Sequence, residues 1–444
     1  MKKVFFAVLI CIPPVLFSQT SITLSECLQT ALDNNLQLRQ GAASVEFSEK
    51  ASAQSKLLLL PNLNGGVSYF WNFGYTVDPV TNLPLSNNFQ TNGYQLSSAL
   101  SLYSGGSISN TIKKSKVDQQ LATMNYAEGK DNVQFMVISA YLSVMFAEEQ
   151  LKITNEKIKT TEAQLGNSEK LVAAGNLPEG NLLAIQAQLA NDQLVNIQAK
   201  NAVEKAYLDL KLLLQMPPEK EIKVVYPQSQ KFEEILNMPV PAANEVAAYA
   251  IEHKAGIKKY DYELLSNQYS KKIAAAAAMP TLTLIGQLST NYSDASYAGV
   301  FEPDPYNIQI DNNLSEVVGL SLQIPIFNNG TVLINKQSAD LNIINSELNK
   351  QIAVNTMQQN VTQAINDLKA AIASYSAAKI NYEAANTAFE FTEKKFNLGS
   401  ASSFDYTNSI NTVAQAESSL VQAKYDLIFK AKIIDYYLDK PLDF

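Results

Sequence analysis

The sequence predicts a mainly α-helical chain that carries part of a membrane β-barrel and is built from two copies of one unit. Three observations lead there. Short segments recur at a fixed offset, four strands alternate apolar and polar residues, and several helices are too long for a compact domain.

The repeat is visible at several places. "QAK" occurs at 198–200 and again 224 residues later at 422–424. At the same offset "EKLVAAG" (169–175) matches "EKKFNLG" (393–399), and "LYSGG" (102–106) matches "IFNNG" (326–330). Nearer the start the offset is 219: Ala31 and Ala250 each lie 30 residues before a proline, Pro61 or Pro280. A unit of this length is too long for a solenoid repeat.

The elements follow in the same order in each copy. Residues 22–60 and 242–278 are predicted as helix, and 62–74 and 281–292 as strand. Loops rich in Asn, Asp, Pro and Gly follow at 75–92 and 293–313, then strands at 93–103 and 314–326. Each copy closes with a very long helix (105–172, 330–396), a short turn and a shorter helix (179–214, 403–438). Pro217 and Pro218 stop the first copy. The division is therefore 1–18 leader, 19–214 first repeat, 215–241 linker with a little strand, 242–438 second repeat, and 439–444 end.

The strands are amphipathic with period two. Leu63, Val67, Tyr69, Trp71, Phe73 and Tyr75 share one face of the first. Tyr94, Leu96, Leu100 and Leu102 do so in the second, and Leu282, Leu284, Leu288 and Tyr292 in the third. In the fourth the set is Val318, Leu320, Leu322, Ile324 and Ile326. The opposite faces carry Gln95, Ser97, Ser101, Thr283, Gln287, Ser321 and Gln323. Each strand is about as long as a tilted strand that crosses a bilayer. The alternative reading packs the aromatic face on a soluble core.

Barrel closure sets the stoichiometry. Open sheet edges are not tolerated in lipid, and membrane barrels need at least about eight strands. Four strands cannot close one, so copies must share it, and three copies supply twelve. The long helix, 68 residues at 105–172, would reach roughly 100 Å. The two shorter helices, end to end, match it. Leu183, Ala187, Ala190, Leu194 and Ile197 step by 4, 3, 4, 3, which is coiled-coil spacing; Gln186, Gln193 and Asn196 are left for water. The helices thus predict a long α-helical tube.

The start, "MKKVFFAVLICIPPVLFSQT", has two lysines, an apolar run and Ser18 before a cleavage point at Gln19, the pattern of a secretory signal peptide. Its removal takes the net charge from −8 to −10, since Lys2 and Lys3 go with it. That balance disfavours nucleic acid. Cys11 as a lipidated residue is a competing reading, opposed by the bulky Ile10. Cys27 is then the one remaining cysteine, so no internal disulfide forms.

"ITLSECLQTALDNNLQLR" before "LLLLPNLN" resembles the opening of the TolC-like outer-membrane efflux protein family. "LYSGG" and "PIFNNG" resemble its strand-to-helix junctions. "LVAAGNLPEGNLL" and "KFNLGSASSFDYTNS" resemble its hairpin tips. The resemblance covers nearly the whole chain after the leader. It implies a homotrimer with a shared twelve-stranded barrel in the outer membrane and an α-helical barrel in the periplasm of a Gram-negative-type envelope. It implies a passive exit duct for efflux or type I secretion, served by a periplasmic membrane-fusion adaptor and an inner-membrane pump of RND, ABC or MFS type.

Site expectations follow from that resemblance. Ala174, Gly175, Asn176, Leu177, Leu398, Gly399, Ser400 and Ala401 would dock the adaptor. Glu383 and Glu390 would line the periplasmic aperture, where three copies would make acidic rings. Tyr69, Trp71, Phe73, Tyr75 and Tyr292 would face outer-membrane lipid and form an aromatic girdle. The plainer readings are helix-ending glycines and solvated carboxylates. One histidine, His253, and one remaining cysteine cannot build the common zinc sites, and no catalytic triad or phosphate loop is recognisable. No metal, cofactor or enzyme activity is expected. The reading from another class is a structural coiled-coil protein of the envelope.

Overall fold

The computed structural model describes residues 20–74, 76–77, 82, 84–85, 88–175, 177–226, 229–295, 303–398 and 400–442. The expected leader 1–18, Cys11, Tyr75, Asn176 and Gly399 lie outside them.

The first repeat runs β1 (Thr20–Ile22), α1 (Leu24–Asn34), α2 (Leu36–Leu57), β2 (Asn64–Asn72), β3 (Thr76–Val77), β4 (Pro84–Leu85), β5 (Phe89–Tyr103), α3 (Ser107–Ala173) and α4 (Glu179–Leu213). β6 (Ile222–Val224) and α5 (Ser229–Leu236) follow in the linker. The second repeat runs α6 (Ala243–His253), α7 (Ala255–Ala276), β7 (Thr281–Ser293), α8 (Tyr306–Asn312), β8 (Ser315–Gln323), α9 (Thr331–Asn397) and α10 (Ser403–Tyr437).

Where one opening helix per repeat was expected, each repeat has two. Asn35 takes extended backbone (φ −61°, ψ 126°). Its side-chain oxygen accepts from the amides of Gln37 (2.9 Å) and Leu38 (3.2 Å), so it caps α2. The second break falls at Lys254, φ −68°, ψ 132°, the position 35 + 219. There a buried ammonium pairs with Asp439 at 2.5 Å and lies 3.7 Å from the Tyr436 ring centroid. One side chain caps and the other anchors, yet the chain bends at the same place. An apolar repeat does not announce such a bend.

The chain divides into two compact units, and each draws on both repeats. One comprises Met1–Gly41, Tyr126–Ile257 and Ala353–Phe444. Its core joins Cys27 and Ala31 of α1 to Val137, Ile138, Tyr141 and Met145 of α3, with Leu210, Leu368, Leu427 and Ile428. β1 pairs in parallel with β6. The Tyr141 hydroxyl closes that pair, donating to Val225 O (2.6 Å) and accepting from Val225 N (2.9 Å). Burial, then the nearby Glu26 carboxylate, pushes the Cys27 thiol up to about 12, so this cysteine is inert packing.

The other unit comprises Ala42–Asn125 and Lys258–Ile352. Its sheet is antiparallel in the order β2-β5-β7-β8. Polar contacts tie its helices: Ser55 to Ser115 (2.7 Å), Ser266 to Asp118 (2.5 Å), Asn267 to Ser346 (2.7 Å) and Lys271 to Asp340 (2.6 Å). At the turn from β5 into α3, Gly105 has φ +62°. A Cβ there would lie 2.5 Å from Met279 Cβ and 2.8 Å from Ala276 O, so glycine is required.

Several expectations need correction. β5 begins at Phe89, four residues early, because its extra residues pair with β2 and, at Thr91 and Asn92, with β7. Its register shifts between Ser101 and Tyr103, so Leu102 leaves the alternation and Tyr103 opposes Leu282. β8 ends at Gln323, two residues before Pro325, which lacks a ladder donor; Ile324 and Ile326 therefore fall outside the strand. The two loops hold the β3–β4 pair and α8. On α4 the buried positions are Ile185, Asp192, Asn196, Ala199 and Leu210. Leu183, Leu194 and Ile197 are exposed instead. Asn196, expected in water, donates to Thr154 Oγ1 (3.0 Å) and Asn155 Oδ1 (2.7 Å).

Candidate functional site: the sheet face and the hairpin tips

In an antiparallel sheet, directly opposed residues share a face. The register aligns Val67 with Tyr94, Tyr94 with Thr290, Leu96 with Leu288, Leu100 with Leu284, and Leu284 with Leu320. Tyr69 opposes Asn92, which opposes Tyr292. The apolar faces read from four separate segments are therefore one continuous surface. Val67, Tyr69, Trp71, Val318, Leu320 and Leu322 on it are all exposed. The other face is mostly Ser, Thr, Gln, Asn and Gly: Ser68, Gln95, Ser97, Thr283, Gln287 and Ser321 alternate through it. An apolar patch this wide does not face water in a soluble chain. β2 and β8 are the outer strands, and among the described residues each has one unpaired edge.

Aromatic residues gather at the end of the sheet remote from α7 and α9. Tyr69 and Trp71 meet edge to face, centroids 5.0 Å apart. Trp71 and Phe73 are exposed. Tyr292 is half-buried, because Tyr306 of α8 packs on it at 5.2 Å.

The two hairpin tips are built differently. At the first, α3 closes through Ala174 N to Lys170 O (3.0 Å) and Gly175 N to Val172 O (2.9 Å). Gly175 has φ +73°, the left-handed stop that glycine favours. Leu177 is half-buried, and Pro178 starts α4 with no side-chain cap. At the second, Leu398 N donates to Lys394 O (3.1 Å) and Ser400 N to Lys395 O (2.8 Å). Ser402 and Asp405 form a capping box for α10. Beneath this tip Phe396, Tyr406 and Ile410 make a small core, with Phe389 and Ala401 against it. Burial, with Glu393 next, pushes the Tyr406 hydroxyl up to about 12. Leu398 is 83% exposed and Phe404 78%, so the second tip presents apolar side chains outward.

Glu383 and Glu390 are both exposed on α9, seven residues apart and so on one side of the helix. The Glu390 carboxylate accepts from Asn386 Nδ2 at 3.1 Å. Sequence reasoning missed the Phe396–Tyr406–Ile410 core, though the seven-residue step from Phe389 to Phe396 and the four-residue step from Tyr406 to Ile410 were available as a signal. It also missed the buried polar seam of the first hairpin. There Asp192 pairs with Lys157 (2.8 Å) and accepts from Thr161 (2.8 Å).

A family model described as "Outer membrane efflux protein" matches residues 27–214 and 249–430, one segment in each repeat. The chain belongs to the outer membrane efflux protein family. It is 23% identical to the outer membrane protein TolC of Escherichia coli strain K12 over 423 residues, 91% of this chain and 80% of that protein. It is 20% identical to the alkaline protease secretion protein AprF of Pseudomonas aeruginosa over 412 residues, 90% of this chain and 80% of that one. Its fold is that of the open-state MtrE outer membrane channel of Neisseria gonorrhoeae, with TM-score 0.75 at 17% identity over 95% of this chain and 90% of that one.

Proposed function

We propose that this protein is the exit duct of an efflux or type I secretion machine in the outer membrane. Three copies join the β2 edge of one chain to the β8 edge of the next and close a twelve-stranded barrel. A periplasmic adaptor and an inner-membrane pump deliver the cargo and the energy, and the duct itself is passive, with no catalytic step. The observation that carries this reading is a four-stranded sheet with one continuous apolar face and two unpaired edges, in a chain of the efflux family. Such a sheet is stable in lipid only when closed.

In this reading Ala174, Gly175, Asn176, Leu177, Leu398, Gly399, Ser400 and Ala401 meet the adaptor. Glu383 and Glu390 form rings at the periplasmic aperture that attract cations. Tyr69, Trp71, Phe73, Tyr75 and Tyr292 belong to the lipid belt. The exposed Leu398 and Phe404 support the docking role, since neither is buried within the chain.

Two measurements test the proposal. Light scattering on the detergent-extracted protein is expected to give three copies per particle; a monodisperse monomer overturns it. Replacing Gly175 and Gly399 together with valine is expected to abolish export while trimers still form. Undiminished export by that variant removes the tips from docking.

A further inference from the structure

α8 sits on the same face of the sheet as the apolar wall. The Tyr306 hydroxyl donates to the Tyr94 hydroxyl at 3.0 Å, and the Tyr306 ring packs on Tyr292; Tyr94 and Tyr292 both belong to that face. Thr290, from the row of Tyr94, donates to Ile310 O at 2.7 Å. Gln309 bridges Ser293, accepting from its amide (3.0 Å) and donating to its carbonyl (2.9 Å). Asn313 donates to Asn291 O at 2.8 Å.

These bonds do two things. They clamp α8 flat on the wall, and they satisfy carbonyls at its end that would otherwise need water. Ile310 O is taken by Thr290, Gln309 O by Asn313 N (2.8 Å) and Asp311 O by Leu314 N (3.4 Å). Ile308 is exposed, and Tyr306 and Leu314, although they reach toward the sheet face, also keep exposed surface. Beside it lies a shallow hollow of about 270 Å³ lined by Gly65, Val67, Tyr94, Leu96, Leu288 and, just after α8, Leu314. Gly65, opposite Leu96, leaves that row without a side chain on β2.

We infer that α8 is a membrane-interface element, lying at the headgroup boundary of the outer leaflet, with the hollow beside it seating lipid acyl chain. The occupant follows from continuity. The hollow opens on the same apolar face that the barrel turns to lipid, running from mid-strand at Leu96 and Leu288 toward α8 at the strand ends remote from α7 and α9. Tyrosine and aliphatic side chains on a short helix with polar flanks suit that boundary. The inference rests on the lipid-facing reading of the wall.

Trp71 is the chain's one tryptophan, which separates the two ideas. The full-length trimer is placed in phosphatidylcholine vesicles carrying bromine at shallow or deep acyl positions. Native Trp71 emission reports the wall. In a Trp71→Phe background, Leu314→Trp and Ile308→Trp report the hollow and α8. Shallow bromine is expected to cut the emission of both roughly in half relative to unbrominated lipid, the depth expected of an interfacial helix. Unquenched emission from both, with native Trp71 quenched, overturns the α8 inference and leaves the wall reading intact. Unquenched native Trp71 overturns both. Ile308 points outward, so its variant decides the question even where Leu314→Trp fails to assemble.

Discussion

The two helical hairpins occupy equivalent places in the repeat but are held together by opposite chemistry. In the α3–α4 hairpin the far half of the seam is polar: Thr154, Thr161, Gln164, Ser168, Asp192 and Asn196 are all buried. In the α9–α10 hairpin it is apolar, with Phe396, Tyr406, Ile410 and Ala416 buried. The contrast is sharpest at one aligned pair. Asp192 is 1% exposed, and its counterpart at 192 + 224, Ala416, is 2% exposed. Thr161 likewise aligns with Ala385, and Thr154 with Ala378. A buried, hydrogen-bonded carboxylate adds little net stability, because desolvation offsets the pairing, but it holds two helices in one register. An alanine seam allows close approach and tolerates sliding. The first hairpin is therefore the register-locked one, and the second relies on its aromatic tip core and its cap.

The largest expected break in this comparison is Phe396→Ala. Removing that ring should cost about 3 kcal/mol, localised to the second tip. Hydrogen exchange should show amides near 389–410 opening while those of 161–192 hold. Equal loosening of both tips contradicts the asymmetry. Next is Asp192→Ala, expected to cost about 2 kcal/mol, since Thr161 and Lys157 lose their partner. Lys157 keeps 17% exposure, which lets water relieve part of the loss. The combined Lys157→Met, Thr161→Val and Asp192→Ala variant should melt at or above the native temperature, as an apolar seam would. A triple variant no more stable than the single one refutes the balance argued here.

Ser402→Ala should cost about 1 kcal/mol by removing the cap of α10, read as fraying of the second tip alone; the first tip has no side-chain cap to lose. The smallest stability effect is expected for Glu390→Gln, which replaces an exposed carboxylate by an amide. Its signature should appear in single-channel recordings as weaker cation block and lower cation selectivity. An unchanged recording takes Glu390 out of the aperture.

Much of the molecule was legible because its signals are local. Alternation in β2, β5, β7 and β8 needs only neighbouring residues, and so does the apolar period of the long helices. The bends at Asn35 and Lys254 were not legible. One depends on a short side chain turning back on its own backbone, the other on a carboxylate 185 residues away. The place of Asn196 was misread for a related reason. Leu183, Ala187, Ala190, Leu194 and Ile197 form the better apolar stripe, yet the chain buries Asp192 and Asn196, whose partners on α3 are invisible to periodicity. α8 was hidden in a loop, since seven residues carry too little pattern to register.

The sequence alone determined the doubled plan, the four amphipathic strands and the chain's need for further copies, because period and strand number are written along the backbone. Only the tertiary structure decided that the four apolar faces are one surface, that each compact unit mixes both repeats, and which side of α4 is buried. Those outcomes depend on register and on partners distant in sequence, and a residue's own neighbours carry no record of either.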